Sequence, residues 1–272
     1  MAAHLVRVND VADPALDPYV RIRERDVVGR EGAFVAEGEV VVRVLALRSR
    51  YRMRSLLLEE RRVDALRDVL EAAPDGVPAL VVPQKVMDAV VGFHIHRGVL
   101  ALGDRGEALH PETLLREAAA AGGSAVVVAL VGLTNHDNVG GIFRNAAAFG
   151  ARGVLLDAAT CDPLYRKAIR VSVGGALVVP FARCESEDVM LDVIARSSFE
   201  AVALTPRGDV TIDALPPSDR RVILLGTEGE GLPEHVLERA RAVRIDMAPA
   251  LDSLNVAVAS GIALHEAMRA RR

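Results

Sequence analysis

The sequence is poor in lysine, because Lys85 and Lys167 are the only lysines among its basic residues. It contains no phosphate-binding loop of the form G-x-x-x-x-G-K-[ST], which excludes the nucleotide-binding proteins that depend on this loop. These two lysines are also the only candidates for Schiff-base chemistry. Both absences narrow the enzyme classes to be considered.

Cysteine is also scarce, since the chain has only Cys161 and Cys184, and their spacing fits no disulfide framework or zinc site. We interpret both as buried thiols of a cytosolic protein. His94 and His96 would share one face of a strand, as two metal ligands often do. No third ligand lies near them in the sequence, so we predict no metal site.

The N terminus lacks the apolar run of a secretory signal peptide. The longest uncharged run, residues 118–135, approaches the length of a membrane span, but two glycines and a serine divide it into a helix end and a buried strand. The net charge is −4 and 51% of the residues are hydrophobic. We therefore predict a cytoplasmic protein outside the membrane, in which any nucleic-acid surface is a local cluster of arginines.

Two parts of the chain differ in pattern. In the first part, helical patterns alternate with short apolar runs such as PALVVP and GVLALG. The stretch HPETLLREAAAAGGS is typical of a connecting helix, because Pro111 suits a first helical turn and the glycines suit its end. We predict domains at 1–105 and 124–272, joined by a linker helix at 106–123.

Beyond Ser124, apolar runs alternate regularly with helical patterns, and the runs are AVVVALV, GVLLD, ALVVPF, FEAVAL, RVILLG and AVRID. This alternation predicts an α/β fold with a mostly parallel sheet covered by helices on both faces. Ligands of such folds bind beyond the carboxyl ends of the strands. Three loops at predicted strand ends are therefore candidates for a functional site.

The first loop opens the helical stretch NHDNVGGIFRNAAAFG, residues 135–150. Asn138 suits the N-cap, since its side-chain oxygen can accept amide hydrogen bonds from the first turn, and Gly150 suits the helix end. Arg144 falls outside the apolar face of this helix. The predicted apolar face consists of Val139, Ile142, Phe143, Ala146 and Phe149.

The second loop, LLGTEGEGLPE at 224–234, places three glycines after a buried strand, as expected where a backbone lies against a ligand. Its spacing, G-x-x-G-x-G, differs from the dinucleotide pattern G-x-G-x-x-G, which argues against a nicotinamide-dependent dehydrogenase. The third loop lies within 245–272 and precedes a long final helix that Asp252 or Ser253 can cap.

Together the three loops resemble the SpoU (TrmH-like) RNA ribose 2′-O-methyltransferases. The matching motifs are N-x-x-N-V-G-x-I-x-R-x-A-x-x-F-G, L-G-x-E-G-x-G-L and S-L-N-V-A-V-A-S-G-I-A-L-x-E-A, in this order. The stretch DPLYRKAIRVSVGGALVVPF is similar to the family's connection between the first two motifs. The resemblance implies a deep trefoil knot in the C-terminal sheet, a homodimer, and S-adenosyl-L-methionine as the methyl donor.

By position, the resemblance also implies two sets of site residues. The residues that would contact S-adenosyl-L-methionine are Leu204, Thr205, Pro206, Gly226, Thr227, Glu228, Gly229, Gly231, Ile245, Met247 and Leu254. The residues that would serve catalysis are Asn135, Arg144, Glu228, Ser253 and Asn255. Family members usually read I-P-M-x-G at 245–249, whereas this chain has Asp246 in place of the proline and Pro249 in place of the glycine.

The implied reaction transfers a methyl group from a sulfonium to a ribose hydroxyl. It needs no metal, but the hydroxyl is very weakly acidic, so the site must align the reactants and stabilise the developing alkoxide. The resemblance allows Arg144 to act as the general base or as a fixed cation. We favour a cation that holds the adjacent RNA phosphate and the 2′-hydroxyl, with proton loss to phosphate or water, since a guanidinium does not readily lose its proton. Asn135 and Asn255 would orient Arg144 and the ribose.

The stretch GAFVAEGEVVVRVLALRSRYRMRSLLLEE resembles the small ribosomal-protein-like α/β RNA-binding domain that many SpoU enzymes carry. Arginine contacts to phosphates and a tyrosine that stacks on a base would give this part its RNA affinity. The first predicted RNA-binding cluster, along an extended segment, consists of Arg43, Arg48, Arg50, Tyr51, Arg52 and Arg54. The second consists of Arg166, Lys167 and Arg170.

These expectations favour an enzyme that methylates a ribose 2′-hydroxyl in structured RNA. We favour rRNA over tRNA as the substrate, because many tRNA-specific members lack the leading domain. Two alternatives stay open, a tRNA 2′-O-methyltransferase and a non-catalytic RNA- or ribosome-binding factor that keeps the fold. The full set of catalytic residues in the sequence argues against the non-catalytic factor.

Overall fold

The structure, a computed structural model, describes residues 3–20, 32–92, 98–248 and 253–269. The chain forms two compact units, the first made of residues 1–107 and 164–178 and the second of residues 108–163 and 179–272. The helix predicted as a linker packs against strands of the second unit. A segment from the middle of the predicted C-terminal domain, by contrast, belongs to the first unit.

The α-helices of the described residues follow one another along both units. In chain order they are α1 (Glu39–Leu47), α2 (Arg67–Ala72), α3 (Gln84–Val91), α4 (Pro111–Ala120), α5 (His136–Phe149), α6 (Arg166–Val171), α7 (Gly175–Val178), α8 (Glu187–Arg196), α9 (Glu234–Leu237) and α10 (Val256–Arg269). Short 3-10 helices span Pro14–Tyr19, Glu60–Arg62, Asp64–Leu66 and Ile212–Ala214. None of the described helices combines the length and apolar character that crossing a membrane requires.

The first unit is built on a mixed five-stranded sheet. Its strands are β1 (His4–Arg7), β2 (Ala33–Glu37), β3 (Met53–Glu59), β4 (Pro78–Val82) and β5 (Val99–Asp104). The spatial order is β1-β4-β3-β5-β2, in which β1, β4 and β3 are parallel and β5 is antiparallel to both of its neighbours. Tyr19 is fully buried under this sheet, where its hydroxyl lies 2.7 Å from Ser55 Oγ.

The second unit is built on a seven-stranded sheet in which every neighbouring pair is parallel. Its strands are β6 (Ala125–Leu130), β7 (Gly153–Leu156), β8 (Phe181–Arg183), β9 (Glu200–Leu204), β10 (Val210–Thr211), β11 (Arg220–Leu225) and β12 (Arg241–Arg244). The spatial order is β10-β12-β9-β11-β6-β7-β8. The predicted α/β fold with a mostly parallel sheet is confirmed.

One predicted strand is wrong. The apolar run ALVVPF forms helix α7 followed by the three-residue strand β8, which begins only at its last residue. Ser172 holds the helical turn, because its side chain accepts a hydrogen bond from the amide of Ala176 and donates to the carbonyl of Ile169. A local cap of this kind offers the backbone an alternative to the sheet, and an apolar run alone does not reveal it.

The order of the strands determines where a site can form. β12, β9 and β11 are neighbours in the sheet, and because they are parallel their carboxyl ends meet at one edge. The loops that follow these strands therefore converge, although they are far apart in sequence. The N-terminal end of α10 reaches the same edge, since α10 packs along α5, which follows β6.

Candidate active site

Helix α5 begins three residues earlier than a cap at Asn138 would place it. Asn135, not Asn138, is the N-cap, and its Oδ1 accepts a hydrogen bond of 2.8 Å from the amide of Asp137. The prediction that Asn138 caps the helix is therefore wrong. The end of the helix at Gly150, which has φ 71°, is confirmed. Of the predicted apolar face, Val139, Ile142, Phe143 and Ala146 are buried, and Phe149 is half-buried.

Asn138 instead joins three loops through its side chain. Its Nδ2 donates to Glu228 Oε1 at 3.0 Å, and its Oδ1 accepts from Asn255 Nδ2 at 2.9 Å. Asn255 Nδ2 also donates to Glu228 Oε1, at 2.8 Å. Asn138 is only 5% exposed, so these are hydrogen bonds of a buried amide that has no solvent to replace them.

Asn255 is held from both sides. Its Oδ1 accepts from the amides of Ala257 and Val258, at 3.0 and 3.3 Å, so Asn255 caps the final helix. The prediction that Ser253 or Asp252 caps this helix is wrong for Ser253, which is exposed before the helix begins at Val256, and Asp252 lies outside the described residues. The amide of Asn255 is therefore fixed by protein partners before any substrate binds.

The glycine-rich loop after β11 is a tight turn. Thr227 and Gly231 face each other across it, and each backbone amide donates to the other's carbonyl at 3.2 Å. Gly229 and Gly231 have φ of 95° and 76°, values that residues with a side chain rarely adopt. At Gly226 a Cβ would lie 2.5 Å from the backbone nitrogen of Leu232 and would overlap the carbonyl of Gly231. The strand and the returning loop are thus in direct backbone contact, which only glycine permits.

A cavity of about 550 Å³ opens at this edge of the sheet. All eleven residues that were predicted to contact the methyl donor line it. Of the predicted catalytic residues, Glu228, Ser253 and Asn255 also line it, whereas Asn135 and Arg144 do not. The loops after β9, β11 and β12 and the start of α10 therefore build one concave site, as the strand order requires.

Arg144 is exposed on α5 and has no carboxylate partner among the described residues. Its neighbour Asn145 faces α10, where Nδ2 donates to the carbonyl of Ala257 at 2.6 Å and to Ser260 Oγ at 2.9 Å. Arg144 is six residues after Asn138, which corresponds to about 9 Å along the helix axis. The cation therefore lies on the helix that supplies the buried amide, but outside the cavity wall.

The sequence contained one signal for Asn138 that was overlooked. Asn138, Ile142 and Asn145 are spaced i, i+4 and i+7, so they share a face of α5, and Ile142 is buried. Asn135 and Asn138 cannot both cap the same helix. Once Asn135 is the cap, the 3.6-residue period places Asn138 on the buried face of α5. Leu225, Val256 and Ala259, which were not predicted, also line the cavity.

The two asparagines provide a matched test. Asn138→Asp replaces the amide donor that faces Glu228 with a second carboxylate oxygen, so we expect the free energy of unfolding to fall by about 1–3 kcal/mol. Asn135→Asp keeps an oxygen that caps α5 equally well, so we expect a change of a few tenths of a kcal/mol. Urea unfolding followed by circular dichroism measures both. Equal losses at the two positions would contradict these assignments.

Three of the predicted RNA-binding arginines are engaged in ion pairs inside the first unit. Arg43 Nε donates to Asp68 Oδ2 at 2.8 Å, and this hydrogen bond lowers the pKa of the Asp68 carboxyl. Arg54 Nε donates to Asp104 Oδ1 at 2.7 Å, and Arg166 pairs with Glu37 on β2. Arg166 and Glu37 are largely buried, so Arg166 fastens α6 to the sheet and is a poor RNA ligand.

The remaining cations are exposed. Arg48, Arg50 and Arg52 lie in and beside the turn between α1 and β3, where the Arg50 guanidinium carbon stands 5.6 Å from the centre of the Tyr51 ring. These residues form a helix end and a turn rather than the extended segment that was predicted. Among the described residues Arg48, Arg50, Arg52 and Arg170 have no carboxylate partner, and Lys167 is exposed as well.

The two predicted clusters belong to the same unit. Ser49 Oγ donates to the carbonyl of Leu177 at 3.1 Å, and a Cβ at Gly174 would touch Val44. Arg48 bonds back to Val44 through its amide, and Arg170 lies four residues before Gly174. The two predicted clusters thus lie on segments that contact each other within the first unit, and Arg43, Arg54 and Arg166 are the members engaged in ion pairs.

Several predictions concern residues of other kinds. His94, His96 and Pro249 lie outside the described residues. Cys184 is buried and Cys161 is half-buried, and burial raises the pKa of these thiols to about 12 and about 11, so both are poor nucleophiles at neutral pH. In the described part of the chain, no group of three or more histidine, cysteine, aspartate or glutamate side chains has the arrangement of a metal site.

Comparisons with known proteins agree with the resemblance of the three loops. The model of the SpoU rRNA Methylase family matches residues 125–265. An uncharacterized tRNA/rRNA methyltransferase of Mycobacterium tuberculosis is 37% identical over 96% of this chain and 91% of its own length. An AdoMet-bound rRNA methyltransferase from Sinorhizobium meliloti is 25% identical, with a TM-score of 0.81 over 97% of this chain and 98% of that one. An RNA 2′-O ribose methyltransferase is 26% identical, with a TM-score of 0.75 over 98% of this chain and 99% of that one. The chain therefore belongs to the SpoU rRNA methylase family.

Proposed function

We propose that this protein transfers a methyl group from S-adenosyl-L-methionine to a ribose 2′-hydroxyl in structured RNA, with rRNA favoured over tRNA. The observation that carries the proposal is the cavity at the carboxyl ends of β9, β11 and β12, with the side chains of Asn138, Glu228 and Asn255 joined at its rim. The structural relatives described as AdoMet-bound and as a 2′-O ribose methyltransferase support both halves of the proposal.

The residues of the cavity fit such a donor. The volume of about 550 Å³ lies in the usual range of pockets for ligands of this size. Leu204, Ile245, Met247 and Leu254 offer apolar walls for a base, and the turn from 226 to 231 offers backbone amides and carbonyls. When bound, the donor supplies an electrophilic methyl group on a sulfonium, so the protein needs no redox or metal chemistry for this step.

Arg144 is proposed to serve the nucleophile. A guanidinium keeps its proton at any working pH, so it acts as a fixed cation for the phosphate beside the target ribose and for the oxygen that gains charge. As the oxygen–methyl bond forms and the sulfur–methyl bond breaks, the hydroxyl proton passes to that phosphate or to water, and the donor leaves as S-adenosylhomocysteine. Its exposed position without a carboxylate partner among the described residues leaves it available for this task. Glu228 is proposed to order the glycine-rich loop, since its Oε1 already accepts from two amides.

Several family features enter as part of the same proposal. We propose a homodimer, supported by two exposed apolar side chains, Leu254 at the cavity and Val258 in the first turn of α10, which are 36% and 53% exposed. A trefoil knot in 124–272 is supported by β11, which lies between β9 and β6 in the sheet. We also propose that 1–105 is the RNA-binding domain, that 106–123 is the linker, and that the enzyme works in the cytoplasm, where its RNA is found.

RNA affinity is proposed to depend on the exposed arginines of the first unit. We expect Arg50→Ala to make the plot of log K against log salt concentration less steep by about 1, because one phosphate contact is lost. Arg220→Ala is the matched control, since Arg220 is exposed at the amino-terminal end of β11, away from the cavity, and has no carboxylate partner in the described ranges. Fluorescence anisotropy over a salt series measures both slopes, and equal slopes for the two variants would count against this surface.

The reaction is tested by incubating the protein with total RNA and tritiated S-adenosyl-L-methionine. Alkali-resistant, tritiated dinucleotides are the expected product, because a methylated 2′-hydroxyl blocks cleavage by alkali. Separated rRNA and tRNA fractions identify the substrate. RNA binding without any transfer would favour the non-catalytic ribosome-binding factor, and tritium in the bases would overturn the assignment to ribose.

A further inference from the structure

One wall of the cavity is a loop that has little regular structure of its own. Residues 205–209 follow β9, and Thr205 and Pro206 of this loop line the cavity. Within the described part of the chain, two hydrogen bonds between backbone groups hold it, from the amide of Thr205 to the carbonyl of Val243 and from the amide of Gly208 to the carbonyl of Thr205. The loop therefore depends on further contacts to keep its shape.

Arg244 on β12 supplies two such contacts, in addition to the hydrogen bond from the amide of Arg207 to Thr205 Oγ1 and the ion pair of Arg207 with Glu234. Arg244 Nη1 donates to the carbonyls of Gly208 and Asp209, at 2.9 and 3.0 Å. Its Nε donates to Asp246 Oδ1 at 3.0 Å, which fixes the plane of the guanidinium. Gly208 permits this approach, because a Cβ there would lie 2.6 Å from the backbone nitrogen of Arg244.

The same residues adjoin a second segment of the cavity wall, which follows β12, the strand next to β9. Arg244 ends β12 and immediately precedes Ile245, and Asp246 lies between Ile245 and Met247, which both line the cavity. Family members usually have proline at position 246, where the ring restricts the backbone. This chain has an aspartate there, so its backbone lacks that restriction and gains a side-chain bond instead.

We propose that Arg244 and Asp246 form a clamp that holds loop 205–209 and segment 245–247 at the spacing the methyl donor requires. The inference rests on the proposed function, because the ligand of the cavity is the methyl donor. Both are positioning residues, since neither lines the cavity. A fork that binds two carbonyls and a carboxylate at once requires arginine, because a lysine ammonium is a single point charge.

The clamp predicts a specific change in donor binding. In the full-length protein, Arg244→Ala should raise the Kd for S-adenosyl-L-methionine roughly tenfold, measured by titration calorimetry. The KM for the donor should rise by a similar factor, while kcat at saturating donor and the KM for RNA stay within about twofold. Arg244→Lys and Asp246→Ala should give smaller rises in Kd, because each keeps part of the clamp.

Arg239→Ala is the matched control. Arg239 is 38% exposed against 37% for Arg244, it pairs with two aspartates of α8, and it does not line the cavity. We expect it to leave the Kd for the donor unchanged and to lower the melting temperature about as much as Arg244→Ala does. A Kd for Arg244→Ala equal to that of wild type, or equal rises in both variants, would overturn the clamp.

Hydrogen exchange without ligand separates this inference from the proposed function. The amides of Thr205 and Gly208 should exchange faster in Arg244→Ala than in wild type and Arg239→Ala. Unchanged exchange at both amides would overturn the clamp even if donor binding weakened. A wild-type protein that fails to bind the donor would overturn the proposed function, and the exchange rates would still decide whether Arg244 orders the loop.

Discussion

Replacing Arg144 with alanine is expected to lower kcat for RNA methylation by about a hundred- to a thousandfold, the usual loss when a charge-stabilising group is removed from a transition state. The Kd for S-adenosyl-L-methionine should stay unchanged, because Arg144 does not line the cavity. The melting temperature should also stay unchanged, since the side chain is exposed and has no carboxylate partner among the described residues. Single-turnover methyl transfer, calorimetry and thermal unfolding measure the three quantities.

Arg144→Lys distinguishes charge from shape. A lysine keeps the positive charge but cannot bind a phosphate and a hydroxyl through a planar fork, so we expect a rate between those of alanine and arginine. A variant of either kind with near-normal kcat would rule out Arg144 as the catalytic cation. A large rise in the donor Kd would instead show that Arg144 belongs to the cofactor site.

Replacing Gly226 with alanine is expected to weaken donor binding by at least about ten- to a hundredfold, as measured by calorimetry. The added Cβ would overlap the carbonyl of Gly231 and would lie 2.5 Å from the nitrogen of Leu232, and neither backbone group is free to move without opening the turn. Overpacking of this kind costs about 1–3 kcal/mol. The overlap can be relieved only if the turn opens, which distorts the cavity. The free-energy cost then appears as a loss of donor affinity of about ten- to a hundredfold or more.

Gly122→Ala is the control for the backbone strain that follows when alanine replaces a glycine. Gly122 has φ 74°, and a Cβ there would meet nothing within 4 Å, so this variant carries conformational strain without a clash and far from the cavity. We expect a lower melting temperature with an unchanged donor Kd. Gly226→Ala with wild-type affinity would show that the glycine-rich turn is not part of the donor site.

The variants Arg144→Ala and Gly226→Ala together test the proposed homodimer. Arg144→Ala keeps an intact cavity and Gly226→Ala keeps an intact arginine, so each is inactive for a different reason. If Arg144 of one subunit completes the cavity of its partner, co-expression of the two variants should restore part of the activity. Co-purified mixed dimers without any activity would show that Arg144 serves the cavity of its own chain.

The sequence predicted the walls of the cavity but not the bonds between them. The resemblance of three loops to the SpoU family implied eleven contacts with the methyl donor, and all eleven residues line the cavity. They meet there because parallel strands bring their carboxyl ends together. The partners of Asn138, however, lie 90 and 117 residues away, and no local pattern encodes such distances. Local reasoning therefore assigned Asn138 to a cap and left its buried network unseen.

The predicted RNA-binding arginines show the same limit of reasoning from local sequence. Arginine spacing marked a basic stretch, but the carboxylates of Asp68, Asp104 and Glu37 come from elsewhere in the first unit and neutralise part of it. Which cations stay available to RNA depends on these tertiary contacts. The helix α7 was missed for a related reason, since a hydroxyl of Ser172 decided between helix and strand.

The segment at 164–178 makes the two units inseparable by simple truncation. Ala168, Ile169 and Leu177 of this segment are fully buried, and its backbone bonds to residues 49–50. A fragment that starts at residue 108 would contain this segment but not residues 1–107, which cover it, so its apolar side chains would be exposed to water. We therefore expect a fragment that begins at residue 108 to aggregate unless Ala168, Ile169 and Leu177 are replaced by polar residues.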